Sequence, residues 1–162
     1  MPRIVQRKVP LTTAERVERA TSNRVRGLKK WVDPFPLGFG TLPEKMVYAE
    51  LSRRGIPFLY LNDIRFQIPE IDFDKSYQAD FVIPSLKIII EVQGAFWHSK
   101  PATIESDAYK FAIYQVSGWT PLAWWYYDIL ERLPELFAAQ PALVAASRYT
   151  AGNIKTELPG QS

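Results

Sequence analysis

The alternation of apolar and polar positions is sharpest in the run QADFVIPSLKIIIEVQ, from Gln78 to Gln93. It reads as two short strands around a turn at Pro84 and Ser85. With the hairpin folded between Ser85 and Leu86, Ala79, Phe81 and Ile83 meet Val92, Ile90 and Ile88, an entirely apolar face suited to a core. The same register sets Asp80 opposite Glu91 and Gln78 opposite Gln93, in the company of Val82 and Ile89. Directly opposed residues have Cβ atoms about 4.5–5.5 Å apart, and like charges there repel. A shared divalent cation relieves that repulsion. The pattern that buries the hydrophobic residues therefore also predicts a metal site, with the alternative that both acids simply face solvent.

Outside the hairpin the pattern predicts helices separated by short strands. Thr12 and Glu15 have capping-box spacing, so a helix runs to about Lys30 with a narrow apolar face (Val17, Ala20, Val25, Leu28) and docks loosely. Residues 33–40 are rich in Pro and Gly and read as a linker. Thr41 and Glu44 repeat the capping signal, with Pro43 tolerated in the first turn, and a helix should run from Leu42 to about Arg54 and stop at Gly55. Ile56–Leu61 and Arg65–Ile68 read as two short strands, and Glu70, Asp72 and Asp74 as a loop. After the hairpin, a loop through Pro101 leads to a helix over Ile104–Ser117 closed by Gly118. A strand over Thr120–Trp125 follows, then a helix from Asp128 that Pro134 interrupts or kinks. Residues 138–162 are weakly patterned and no internal repeat is evident. The expected fold class is α/β, a mixed central sheet flanked by helices. Its expected organisation is a basic helical arm with linker over 1–40, a core over 41–138 and an extension over 139–162.

Composition narrows this picture. The chain has 162 residues, 47% of them hydrophobic, which suits one domain with a real core. It has no cysteine, which excludes disulfides and thiolate zinc. No apolar run is long enough to span a bilayer and no leader peptide is visible, so a cytoplasmic protein without membrane contact is expected. The net charge is only +3, but residues 1–30 carry nine bases against two acids, a net +7, while the remainder carries −4. A basic arm on a mildly acidic body suits a polyanion, most simply nucleic acid; the plainer alternative is a solvated helix or a disordered basic tail. Arg16, Arg19, Arg24, Arg26, Lys29 and Lys30 are the candidate contacts.

Carboxylates suit hard cations, and Mg²⁺ usually takes one or two of them plus waters and substrate phosphate. Such an ion, Mg²⁺ or Mn²⁺, orients water and stabilises charge developing on a phosphodiester. Glu44 is explained by capping alone, or serves as a further acid near the metal. His98, the only histidine, follows the paired acids in a loop opened by Gly94 and is a candidate general acid or base. Phe96 and Trp97 are core residues or aromatics that stack on bases. Lys110 is a solvated helical lysine, or supplies from a neighbouring helix the charge that neutral Gln93 lacks.

Asp80 followed by Glu91-Val92-Gln93 resembles the PD-(D/E)xK nuclease signature, with Gln in place of the usual Lys. Asp80-Phe81-Val82 and Gly94-Ala95-Phe96-Trp97-His98 look more closely like the very short patch repair endonucleases and the related DUF559 proteins. Asp107, Lys110, Gly118 and Trp119 fit that family's next helix, and Glu44, Leu51 and Gly55-Ile56-Pro57-Phe58 are similar to its first helix and strand. The likeness covers about residues 41–127. It implies a restriction-endonuclease-like fold and a Mg²⁺-dependent DNA endonuclease of repair, recombination, homing or phage DNA processing. Asp80 would be the principal metal ligand, joined by Glu91 and the Val92 carbonyl. Gln93 would position water, His98 would assist proton transfer or bind phosphate, and Phe96 and Trp97 would enter the duplex. The repair enzymes carry a cysteine-built zinc site and a His where this chain has Gln93, so their mismatch specificity is not carried over. A homodimer or larger nucleoprotein assembly is compatible with this reading. The competing expectation is a non-catalytic nucleic-acid-binding or assembly protein on a nuclease-derived fold, which Gln93 favours because an amide adds no positive charge.

Overall fold

Two capped helices open the described chain. The computed structural model describes residues 12–35, 37–94 and 101–148. In α1 (Thr13–Val32) the Glu15 amide donates to the Thr12 hydroxyl at 3.2 Å and the Thr12 amide donates to the Glu15 carboxylate at 2.7 Å, closing the expected box. In α2 (Leu42–Arg53) the Thr41 amide donates to Glu44 Oε2. This helix ends on Gly55 at φ +61, with the Gly55 and Ile56 amides donating back to the Ser52 and Leu51 carbonyls.

Three strands follow, β1 (Leu59–Ile68), β2 (Phe73–Ile83) and β3 (Ile88–Gln93). Then come α3 (Pro101–Val116), β4 (Thr120–Trp125), α4 (Tyr126–Ala138) and α5 (Pro141–Ala146). The sheet runs in chain order, β1 and β2 antiparallel, β2 and β3 antiparallel, β3 and β4 parallel. The class is α/β, a four-stranded mixed sheet with helices on its faces. The hairpin register is the expected one, with Phe81 opposite Ile90 and Ile83 opposite Ile88.

Both faces are buried. On one, Phe81, Ile83, Ile88, Ile90 and Trp124 pack with residues of α1, α2, α4 and α5. On the other, Val82 and Ile89 pack with Ile113 and Tyr114 of α3. The sheet face that carries Asp80 and Glu91 is thus roofed by a helix.

The β1–β2 ribbon departs from expectation. The two short strands and the acidic loop are one long antiparallel pair, Leu59 opposite Val82 at one end and Ile68 opposite Phe73 at the other. Its turn, Pro69–Ile71 with Asp72 left-handed, repeats the Pro84–Leu86 turn with Lys87 left-handed. Both place a proline first in the turn, where its fixed φ fits. The ladder skips one position: Tyr60 pairs with Phe81 and Asn62 with Ala79, but Leu61 and Asp80 between them do not pair. Leu61 has φ +46. Across this break the ribbon changes face, since Tyr60 and Phe81 join the α2 side while Ala79, Tyr77 and Phe66 join the α3 side. Ala79 therefore leaves the apolar face that strict alternation assigned to it.

The first helix docks more firmly than its sparse pattern implied. Leu28 and Val32 are buried, Arg24 pairs with Glu131 at 2.6 Å and donates to the Leu130 carbonyl, and Arg53 lies 3.7 Å over the Trp31 ring and donates to the Trp31 carbonyl. In α4 the kink falls at Arg132, just before Pro134, whose ring disfavours a continuous helix. Beyond it Leu143 of α5 is fully buried and the Arg148 amide donates to the Arg54 carbonyl, so residues to 148 are fastened to the core. Among the described residues no helix is long and apolar enough to cross a membrane.

Candidate metal centre

The carboxyl pair lies where the ladder breaks. Because Asp80 has no ladder partner on β1, its side chain takes the place of a backbone acceptor: the Val92 amide donates to Asp80 Oδ2 at 2.8 Å. That bond holds Asp80 against Glu91, one step beyond the last paired residues, Phe81 and Ile90. Burial, the Glu91 charge and more distant Glu44 push the Asp80 carboxyl up to about 7, and when protonated it donates to Glu91. Burial is the larger cause, and the Glu91 charge adds the repulsion anticipated from the pattern; without a cation, a proton bridges the two groups.

Helix α3 supplies the counter-charge. Lys110 Nζ lies 2.9 Å from Glu91 Oε1, and the Tyr114 hydroxyl donates to the same oxygen at 3.0 Å. Glu91 is only 7% exposed. Tyr114 is fully buried, and burial with the Glu91 charge raises its hydroxyl far above the usual phenol range. Asp107, Lys110 and Tyr114 sit at helical spacing on one face, fixed by the C-terminus of α3. There Gly118, at φ +87, lets the Gly118 and Trp119 amides close on the Gln115 and Tyr114 carbonyls. Glu91, Val92, Gln93, Asp107, Lys110 and Phe111 line a pocket of about 40 Å³, room for a water or a small ion.

On the other side stand Glu44 and Tyr60. The Tyr60 hydroxyl is raised to about 12 by burial and by the Glu44 and Asp80 charges. A Cβ at Gly40 would come within 2.9 Å of both Glu44 Oε2 and the Tyr60 oxygen, and the backbone there has φ +104, so only glycine fits. Glu44 serves as cap and also contributes charge toward Asp80.

The structure therefore brings together Asp80, Glu91, Val92, Gln93 and Lys110, with Glu44 beyond. Arg16, Arg19, Arg26, Lys29 and Lys30 are exposed on α1, whereas Arg24 is turned inward onto Glu131. Phe96, Trp97 and His98 lie outside the described residues. Tyr60, Leu61 and Tyr114 were not anticipated. The spacing from Lys110 to Tyr114 offered a signal for the last; a leucine gave none for the break.

The donor set fits a hard divalent cation in part. Two carboxylates share one buried spot and the pair carries excess negative charge, as Mg²⁺ requires. Among the described residues no group of three or more His, Asp or Glu side chains forms a complete cage, so waters and substrate would fill the remaining positions. No family model, no curated protein and no solved structure matches the chain.

Proposed function

We propose that the chain is a Mg²⁺-dependent DNA endonuclease with a restriction-endonuclease-like core of α2, β1–β3, α3 and β4 and a basic α1 arm. The observation that carries the reading is the junction of Asp80 and Glu91 with Lys110 from a separate helix. A surplus carboxylate beside a partly buried lysine has no evident purpose in packing, whereas it suits a site that receives a metal and a phosphate. When bound, Mg²⁺ would supply Lewis-acid stabilisation of a phosphodiester and an acidified water. Asp80 and Glu91 would hold it. Lys110 would supply the positive charge that Gln93 lacks, neutralising charge that develops on the phosphate oxygens. Gln93, at the pocket wall, would accept from and donate to the water that attacks. The exposed bases of α1 would bind the DNA backbone, which positions the duplex without reading sequence. Roles for His98, Phe96 and Trp97 rest on the family resemblance alone.

The test is cleavage of supercoiled, branched and mismatched DNA with Mg²⁺, Mn²⁺ or EDTA. Wild type should cut only with metal, and Asp80→Ala should reduce cutting by about a thousandfold or more with the fold intact, as loss of a principal electrostatic group does. Cutting by Asp80→Ala at the wild-type rate would end the proposal. Gln93 favours one other reading, a non-catalytic DNA-binding protein on the same core. Calorimetry separates the two: no Mg²⁺ or Mn²⁺ uptake even with DNA present would select the binding protein.

A further inference from the structure

Two tyrosine hydroxyls approach the carboxyl pair, one from the α3 side of the sheet and one from the α2 side. The Tyr114 hydroxyl is already engaged, donating to Glu91 Oε1 at 3.0 Å. The Tyr60 hydroxyl is not. Its oxygen is shut off from solvent and makes no hydrogen bond among the described residues. Its charged neighbours are both acids, Glu44 and Asp80, close enough for their charges to weigh on the phenol. Glu44 is near the hydroxyl but not aligned for a hydrogen bond with it, and its Oε2 accepts from the Thr41 amide to cap α2.

The ring is held on three sides, by Phe81 at 5.0 Å, Phe39 at 5.7 Å and Tyr48 at 6.2 Å, so packing fixes where the hydroxyl stands. The Tyr60 oxygen and Glu44 Oε2 crowd the same side of Gly40, where an added Cβ would displace both. A buried hydroxyl without a partner costs stability. Phenylalanine would fill the same place among these rings without that cost. An orphan of this kind calls for a reason, and a group that arrives with a ligand supplies one. A phenol both accepts and donates. Beside two acids it has acceptors for its proton, and what it lacks is a donor. Water bound to a divalent cation is a strong donor, and groups that take hydrogen bonds from such a shell tune the affinity for the ion.

We infer that Tyr60 is a positioning residue of the cation site: its hydroxyl accepts from a water in the ion's shell and donates to Glu44. Glu44 then acts on the ion through Tyr60 rather than as a ligand, which leaves it free to cap α2. Tyr114 and Tyr60 thereby divide the work, one fastening Glu91 and the other completing the shell on the opposite side. This rests on the nuclease reading only in taking Asp80 and Glu91 as the place of the cation.

The experiment uses the full chain, with urea unfolding in the absence of metal and calorimetry with Mg²⁺ and with Mn²⁺ at pH 8. Tyr60→Phe keeps the ring and removes only the hydroxyl. Its metal-free unfolding midpoint should equal or exceed that of wild type, while its affinity for both ions falls by about tenfold or more. These opposite signs are the signature, since a merely structural tyrosine would lose stability first. In a Glu44→Gln background, where Gln still serves the capping box, Tyr60→Phe should cost less affinity than it does alone, because an amide oxygen is the weaker acceptor. Three results overturn the inference: wild-type ion affinity in Tyr60→Phe, an affinity loss that comes only with a lower unfolding midpoint, or an equal loss in both backgrounds. The two proposals fail separately. If Tyr60→Phe weakens ion binding as expected but wild type never cuts DNA, the nuclease reading falls and the role of Tyr60 stands. If Asp80→Ala kills cutting while Tyr60→Phe binds ions as wild type does, the reverse is true. A wild-type chain that takes up neither ion sinks both.

Discussion

Two buried carboxylates in this molecule each take a basic partner, and they do opposite things. Glu50 and Arg54 lie one turn apart on α2 at 2.6 Å, 1% and 5% exposed. Arg54 also donates to Ser147 and lies 4.3 Å over the Phe137 ring, so the pair ties α2 to α4 and to the end of α5. The Glu50 charge meets Arg54 directly and is felt by Arg53 as well, so negative charge does not exceed positive here. Glu91 and Lys110 make a similar contact at 2.9 Å between β3 and α3, but Asp80 is forced against the same carboxylate and Glu44 stands nearby. Here negative charge exceeds positive. A balanced buried pair is a fastening; an unbalanced one has capacity for another cation. The surplus, rather than burial or the ion pair itself, distinguishes the candidate site from the scaffold.

The largest effect should come from breaking the balanced pair. Arg54→Met strands Glu50 in the core and should cost about 3–5 kcal/mol, read from urea unfolding. Glu50→Leu with Arg54→Met should recover most of it, since paired apolar groups fill the space without a charge to desolvate. If the single substitution is tolerated as well as the double, the pair is not a fastening.

The unbalanced pair should instead respond to pH and metal. The folded Asp80 carboxyl titrates near 7, against an ordinary value of 3.8, with Glu91, Glu44, Tyr60, Tyr114 and Lys110 around it. Between about pH 4 and pH 7 the folded chain holds a proton that the unfolded chain has released. Stability is then greatest below this window, falls as pH rises through it, and levels off above pH 7. Mg²⁺ at pH 8 should restore part of the loss by binding only the folded form, and Asp80→Asn should flatten the profile. Unfolding midpoints at pH 5 and pH 8 decide the matter. An unchanged slope in Asp80→Asn would mean that the surplus charge is not where the structure puts it.

Much of this site is legible in the chain because two constraints coincide there. The turn at Pro84 and the apolar parity of Phe81, Ile83, Ile88 and Ile90 admit one register, and that register brings Asp80 to Glu91 without further information. Lys110 was legible only as one of two options, because nothing local says where α3 crosses the sheet. The β1–β2 ribbon was misread for a physical reason. Its distal half is exposed on one side, so Glu70, Asp72 and Asp74 look like loop, and only the repeated Ile-Pro turn betrays a second hairpin. The change of face at Leu61 and Asp80 was not legible at all, since no glycine marks the left-handed backbone. Residues after 138 looked patternless because α5 is anchored chiefly by one side chain, Leu143.

Lys110→Met separates stability from chemistry within the unbalanced pair. Glu91 keeps the Tyr114 hydroxyl and can share the Asp80 proton, so the loss of stability should be smaller than for Arg54→Met. Cutting should fall by about 10²–10³, the usual cost of removing one charge-stabilising donor, and Lys110→Arg should restore part of it. Undiminished cutting by Lys110→Met would remove Lys110 from the proposed chemistry and leave it as a fastening like Arg54.

The smallest effect should fall on a third ion pair, which serves as the reference for the other two. Arg65 and Asp74 meet diagonally across the distal β1–β2 ribbon with both ends bonded, at 2.8 and 2.6 Å. Geometrically this is the best-formed pair of the three, yet it is exposed. In water the charges are already solvated, so bringing them together gains little beyond what ordering two side chains costs. Arg65→Ala should shift the unfolding midpoint by little more than the scatter of the measurement, and 1 M salt should abolish even that. The three pairs then rank by burial and charge balance, not by distance. A large, salt-resistant loss in Arg65→Ala would mean that the ribbon is buried against something in solution, and that charge surplus is not what sets the Glu91 pair apart.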